Sequence, residues 1–233
     1  MTLVMFDIDG TLTQTNEIDA SCFAQTLQEV FGFTDINTDW AAYQHCTDSQ
    51  ILEELCRLRL GRPPSPTEVS SAQARFLALL DKAAQLDPFR QVPGAGEFLY
   101  DLVHHRGSSL AVSLASGGWE CSARLKLERT GLAFLNLPGA YSDDAQTREG
   151  IMRTSLAKAA AAYSQDSFDS VVHIGDGVWD ARACRNLGFP FIGIADAPAA
   201  AQKLLLEGAV HVFSDYRDPT ALITVLQASK QTH

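Results

Sequence analysis

Five short apolar runs, at residues 3–6, 110–114, 171–174, 191–194 and 210–213, restrict most strongly what this chain can fold into. Each is too short for a buried helix and is closed by turn residues, so each reads as a strand covered on both faces. Between them lie stretches with helical spacing, at 119–130, 151–163 and 198–206. Strands alternating with helices are joined by right-handed crossovers, which set the strands parallel. The expected fold class is therefore α/β, with a doubly wound parallel sheet as its core. One interval breaks the alternation. Residues 14–92 show helical patterning, with Ile51, Leu55, Leu58 and then Phe76, Leu79, Leu80 at helical spacing, and almost no strand signal. A Gly61-Arg-Pro-Pro-Ser-Pro stretch separates two of its helices, and Pro93-Gly94 marks the return to the core. The expected division is a core from residues 1–13 and 93–233, interrupted by a helical insert at 14–92.

Charge narrows the partners. Eighteen Lys and Arg against 28 Asp and Glu give a formal charge of -10, which repels nucleic acid and anionic membrane surfaces. An anionic ligand would need a locally cationic pocket. The five cysteines are scattered, with no CxxC pair to suggest zinc or a redox motif, which fits a reducing cytoplasm. A signal peptide and a membrane-spanning run are both absent from the pattern, so a cytoplasmic protein is expected. Monomer and homodimer are equally compatible with the sequence.

Three strand ends carry polar groups that can do chemistry. The first run ends in Phe6-Asp7-Ile8-Asp9-Gly10-Thr11, two carboxylates just beyond the carboxyl edge, where open α/β sheets bind ligands. One carboxylate can attack phosphorus, and a second can protonate the leaving oxygen and later activate water. The same residues would also serve as an ordinary strand-ending turn. The second run ends in Ser116-Gly117-Gly118, whose hydroxyl and exposed amides can cradle an oxyanion, or simply cap a helix. The third ends in Asp176-Gly177-Val178-Trp179-Asp180, two carboxylates suited to magnesium, the second of which could instead stabilise a helix start. Trp179 fits core packing better than a site wall. Four acids on one sheet edge would be costly without a cation.

In order, and each after an expected strand, DxDGT, Ser and GDxxxD resemble the motifs of the haloacid dehalogenase-like hydrolase superfamily. The resemblance spans essentially the whole chain. It implies a Rossmann-like core and makes the insert similar to that superfamily's helical cap domain. It further implies a phosphatase that uses Mg2+, forms an aspartyl phosphate and acts on a small phosphorylated metabolite. Asp7 would be the nucleophile and Asp9 the general acid and base, with the Asp9 carbonyl also touching the metal. Ser116, with Gly117, would bind the phosphoryl group. Asp7, Asp176 and Asp180 would complete the metal's protein ligands, with Asp180 a ligand or its support.

The chain departs from the family at the third motif, where a lysine is usual, often in Gly-Lys-Pro, and Thr147-Arg148-Glu149-Gly150 stands instead. Arg148, Arg153 and Lys158 are the candidate cations. Arg148 fits best, as a loop residue just before the helix at 151, able to bridge two oxygens. In the insert, His45, Thr47 and Asp48 are candidates for substrate specificity, although Thr47 or Asp48 could merely cap a helix. Other activities of the superfamily remain open: phosphoryl transfer to another acceptor, as in a mutase, or phosphonate hydrolysis. The latter would need an insert lysine for a Schiff base, and Lys82 is the only one there. A non-catalytic phospho-acceptor module is a further alternative, though such modules lack an insert.

Overall fold

A computed structural model describes residues 1–107, 109–133 and 136–229. Six strands form one parallel sheet: β1 (Thr2–Phe6), β2 (Leu110–Ala115), β3 (Gly139–Ala140), β4 (Ser170–Gly175), β5 (Phe191–Ile194) and β6 (His211–Phe213). Their spatial order is β3-β2-β1-β4-β5-β6. From β1 the chain builds outward first on one side and then on the other, which makes the crevice beside the carboxyl end of β1 the topological switch point.

All five residues of β1 are buried, and its alternation feeds both faces. Val4 and Phe6 join a cluster with Phe98, Leu102, Leu127 and Leu222. These come from α4 (Ala95–His104), α5 (Glu120–Arg129) and α9 (Pro219–Ala228). Leu3 and Met5 join Ile151, Met152, Cys184 and Leu204 on the opposite face. Those belong to α6 (Arg148–Ala162), α7 (Val178–Leu187) and α8 (Pro198–Leu206). The expected α/β class and doubly wound parallel sheet are thus present.

The boundaries differ from the sequence reading where local polar chemistry overrides hydrophobic pattern. Helix α6 starts at Arg148, not at residue 151, because the Thr147 side chain accepts a hydrogen bond from Gly150 N at 3.1 Å. This puts Arg148 in the first helical turn, not in a loop. The two-residue β3 carries no apolar run at all and exists because Gly139 and Ala140 pair with Leu114 and Ala115. Helices α4 and α9 also lie outside the helical stretches singled out above.

Between β1 and α4 come α1 (Asn16–Phe31), a single 3-10 turn at Trp40–Ala42, α2 (Asp48–Leu60) and α3 (Pro66–Leu86). Gly61 closes α2 in the left-handed conformation, at φ 71°. Pro66 and a reciprocal Ser65–Glu68 capping box then start α3. The chain enters and leaves this segment through paired backbone, with Gln14 N donating to Arg90 O at 2.8 Å and Val92 N to Leu12 O at 2.9 Å. The three helices share an apolar cluster that includes Phe23, Leu27, Leu52 and Phe76, and Trp119 from the loop before α5 completes it. Trp119 is fully buried, with ring centroids 5.5 Å from Phe23 and 5.9 Å from Phe76. No described helix is long and apolar enough to cross a membrane.

Truncating Trp119 leaves a large void between the segment and α5. Trp119→Ala should cost about 3–5 kcal/mol, read as a lower midpoint in guanidinium unfolding. A loss below about 1 kcal/mol, on the scale of exposed-site changes, would show that the cluster repacks without its tryptophan.

Candidate active site

The loops after β1, β2 and β4 meet the first turns of α6 and α7 at the switch point. Together with α1, α2 and the loop before α2 they enclose a cavity of about 310 Å³. Asp7, Asp9, Ser116, Gly117, Arg148, Asp176, Thr47 and Asp48 all line it. Glycines are required at two points. Gly10 has φ 70°, and a Cβ there would sit 2.0 Å from Asp176 Oδ2. A Cβ on Gly117 would lie 2.5 Å from Arg148 Nη2 and 2.7 Å from Cys46 O, so the Ser116 loop is open only because residue 117 has no side chain.

Asp7 is almost wholly buried. Burial raises its pKa, and Arg148 works against the rise, as does a hydrogen bond with Ser116. Arg148 Nη1 lies 3.4 Å from Asp7 Oδ1 and 3.1 Å from Asp180 Oδ1, while its Nε donates to Cys46 O at 3.0 Å. Burial alone would lower the Arg148 pKa, but Asp180 and Asp7 more than offset it and keep the guanidinium charged. The other two candidate cations stand apart. Arg153 is exposed, and Lys158 pairs with Asp144 at 2.9 Å on the surface.

Asp7, Asp176 and Asp180 can each present an oxygen within 4.8 Å of the others. Asp176 accepts a hydrogen bond from Asn16 Nδ2 at 2.7 Å, and burial, then Asp7, pushes its pKa up to about 7. Both Asp180 oxygens are buried without a hydrogen bond; Arg148 approaches Oδ1 closely but not at a hydrogen-bonding angle. Behind Asp180 lies fully buried His173, whose pKa burial and then Arg148 lower to about 3, leaving it neutral. A hard divalent cation takes oxygen donors of this kind and would give the Asp180 oxygens the partner they lack, so the residues fit magnesium. The Asp9 side chain is outside this trio.

Asp9 is engaged elsewhere, by a residue the sequence reading passed over. Lys126 on α5 is fully buried and donates to Asp9 Oδ2 at 2.7 Å and to Asp19 Oδ1 of α1. Thr15 Oγ1 donates to the other Asp9 oxygen at 2.5 Å. Burial would lower the Lys126 pKa, yet Asp19 and Asp9 raise it above its ordinary value. Asp19, raised by burial to about 6 against the pull of Lys126, also lines the cavity. Lys126 looks like a solvent-facing helix charge in the sequence. The available signal is its spacing: Trp119, Ser122, Ala123 and Lys126 fall on one buried stripe.

The three specificity candidates separate. Thr47 caps α2 and donates to Gln146 O at 2.8 Å, so its hydroxyl is occupied. Asp48 accepts from Trp119 N at 2.9 Å through Oδ2, and its own N donates to Gly117 O at 2.9 Å. His45 does not line the main cavity; it lies in an adjoining pocket with Trp40, Glu149 and Arg182. Trp179, read as core packing, is instead a wall of the main cavity, with the Arg148 guanidinium 5.8 Å from its ring. Lys82 is exposed and does not line the cavity.

A family model for haloacid dehalogenase-like hydrolases matches residues 1–188. No curated protein matches the sequence significantly. Among solved structures, a hydrolase from Pseudomonas syringae superposes with a TM-score of 0.72 at 19% identity, over 98% of this chain and 99% of that one. A protein from Bacteroides vulgatus provisionally described as a beta-phosphoglucomutase gives 0.69 at 18%, over 100% and 91%. CbbY from Rhodobacter sphaeroides, in complex with phosphate, gives 0.66 at 15%, over 93% and 95%. At such identities these structures are alike in fold.

The crowded acids make a stability prediction. Asp176 binds its proton more tightly folded, at about 7, than an unfolded aspartate does at about 3.9, so metal-free protein should gain stability as pH falls through that window. In chelator at pH 8, Asp176→Asn should therefore melt higher than wild type, by about 2–4 °C per kcal/mol of relieved repulsion. Added magnesium should raise the wild-type Tm more than the variant's. A variant that melts lower in chelator would contradict this account of the site.

Proposed function

The chain belongs to the haloacid dehalogenase-like hydrolases, and from that premise we propose that it is a phosphatase hydrolysing a small phosphomonoester through an aspartyl phosphate on Asp7. The observation that carries this is the buried Asp7 carboxylate, 3.4 Å from Arg148, in one cavity with Ser116 and a second acid, Asp9.

An Asp7 oxygen attacks phosphorus while the bond to the leaving oxygen breaks, and Asp9 gives that oxygen a proton. Asp9, now a carboxylate, takes a proton from water as the water oxygen attacks the acyl phosphate. The bond between phosphorus and Asp7 breaks, inorganic phosphate leaves, and both acids return to their starting forms. Ser116, the Gly117 amide and Arg148 hold the phosphoryl oxygens throughout, and a guanidinium charge fixed beforehand offsets the charge developing on them. Magnesium held by Asp7, Asp176 and Asp180, with the Asp9 carbonyl, would neutralise phosphate charge and set the line of attack.

Residues 14–92 act in this reading as a cap on the core formed by 1–13 and 93–233, moving on hinges near Gln14 and Val92 to exclude water. On the α1 side the cavity is lined by Glu17 and Asp19, and Arg148 is the only Arg or Lys among the described residues that line it. A second phosphate on the substrate would find no cation there, which favours small monophosphates over bisphosphates. The net charge of -10 likewise disfavours nucleic acid.

Asp7→Asn should abolish magnesium-dependent phosphate release from p-nitrophenyl phosphate while leaving the circular dichroism spectrum unchanged. Arg148→Ala should lower kcat on the order of 100- to 1000-fold, the scale for removing one preorganised charge contact. Near wild-type turnover by Asp7→Asn would rule out the aspartyl-phosphate route.

A further inference from the structure

We propose that Lys126 is a positioning residue for Asp9, clamping the acid–base carboxylate at a fixed angle to the leaving oxygen while Asp19 of α1 and the Phe76 ring of α3 hold the ammonium in place. The proposal rests on the phosphatase reading above.

Each oxygen of Asp9 has one fixed donor, Lys126 Nζ on Oδ2 at 2.7 Å and Thr15 Oγ1 on Oδ1 at 2.5 Å. Two donors on opposite oxygens remove the torsional freedom that a lone carboxylate would keep. Thr15 is itself held, accepting from the Thr13 hydroxyl at 2.6 Å. Lys126 is held by Asp19 and lies 5.9 Å from the centre of the Phe76 ring on α3. The ammonium is therefore fixed by α1 and α3 while its stem comes from α5.

A buried ion pair with only a structural task is often replaceable by apolar side chains of similar volume. Here both carboxylates that Lys126 joins line the cavity, one from the β1 loop and one from α1. Proton delivery to a leaving oxygen depends on angle and distance, so a clamp on Asp9 bears on the step in which that proton moves. Where the leaving group departs without a proton, attack by Asp7 does not call on the clamp. Docking of α1 is thereby read at Asp9.

This separation gives the test. An alkyl phosphate needs a proton on its leaving oxygen, whereas 2,4-dinitrophenyl phosphate releases its anion without one. In Lys126→Met, and in the Lys126→Met/Asp19→Asn double variant that leaves fewer buried charges unpaired, the first turnover of an alkyl phosphate should slow on the order of 100-fold. The pre-steady-state burst rate of dinitrophenolate should stay within a few-fold of wild type, while its steady-state rate falls because Asp9 is also the base that activates water. Equal slowing of the first turnover on both substrates, or on neither, overturns the proposal while the phosphatase reading stands. A wild type inactive on every phosphomonoester overturns that reading, and the proposal with it.

Discussion

The repulsion among carboxylates gathered at one sheet edge governs the rest of this molecule. Parallel strands ending side by side bring Asp7, Asp9, Asp176 and Asp180 together, and α1 and α2 add Asp19 and Asp48. Two buried cations answer most directly, and each serves two acids: Arg148 faces Asp7 and Asp180, while Lys126 joins Asp9 to Asp19. The two acids of the first motif thus receive separate counter-charges from separate helices. What these cations leave unsatisfied, above all on Asp180, is where an oxygen-loving metal fits.

The two cations also hold the helical segment against the sheet. Arg148 reaches the Cys46 carbonyl across the space that Gly117 leaves open, and the backbone around Asp48 bonds to Gly117 and Trp119. The loop carrying Ser116 and the loop that faces it are consequently one hydrogen-bonded unit. Thr47 belongs to this stitching, with its hydroxyl committed to Gln146 and to the helix it caps.

The frame was legible because it is written in hydrophobic period. Strands β1, β2 and β5 are continuous buried runs and β4 is one apart from half-buried Val171, and the acids of the cavity stand just beyond β1 and β4. Elements specified by pairing or capping instead were obscure. β3 has two small residues and no pattern of its own, and the start of α6 depends on one threonine hydroxyl. Lys126 was obscure for another reason: composition marks a lysine as exposed, and only its partners, distant in sequence, show that it is buried. His45 drew notice as a polar residue in a polar loop, yet the fold turns it into the neighbouring pocket.

The paired backbone where the chain leaves the sheet and comes back bears on how the protein reaches its native state. Thr2 must find Leu110, about a hundred residues away, and loops of that length slow the search for strand partners. Once α1 and α3 have packed on each other, the bridge between Thr13 and Gln91 closes most of that loop, and the remaining gap is a short one. Because closure entropy grows only logarithmically with length, helices could be added to or removed from the interval at little cost to the sheet. The bridge therefore makes this interval a natural place for lineages of the fold to vary in size while the sheet stays the same.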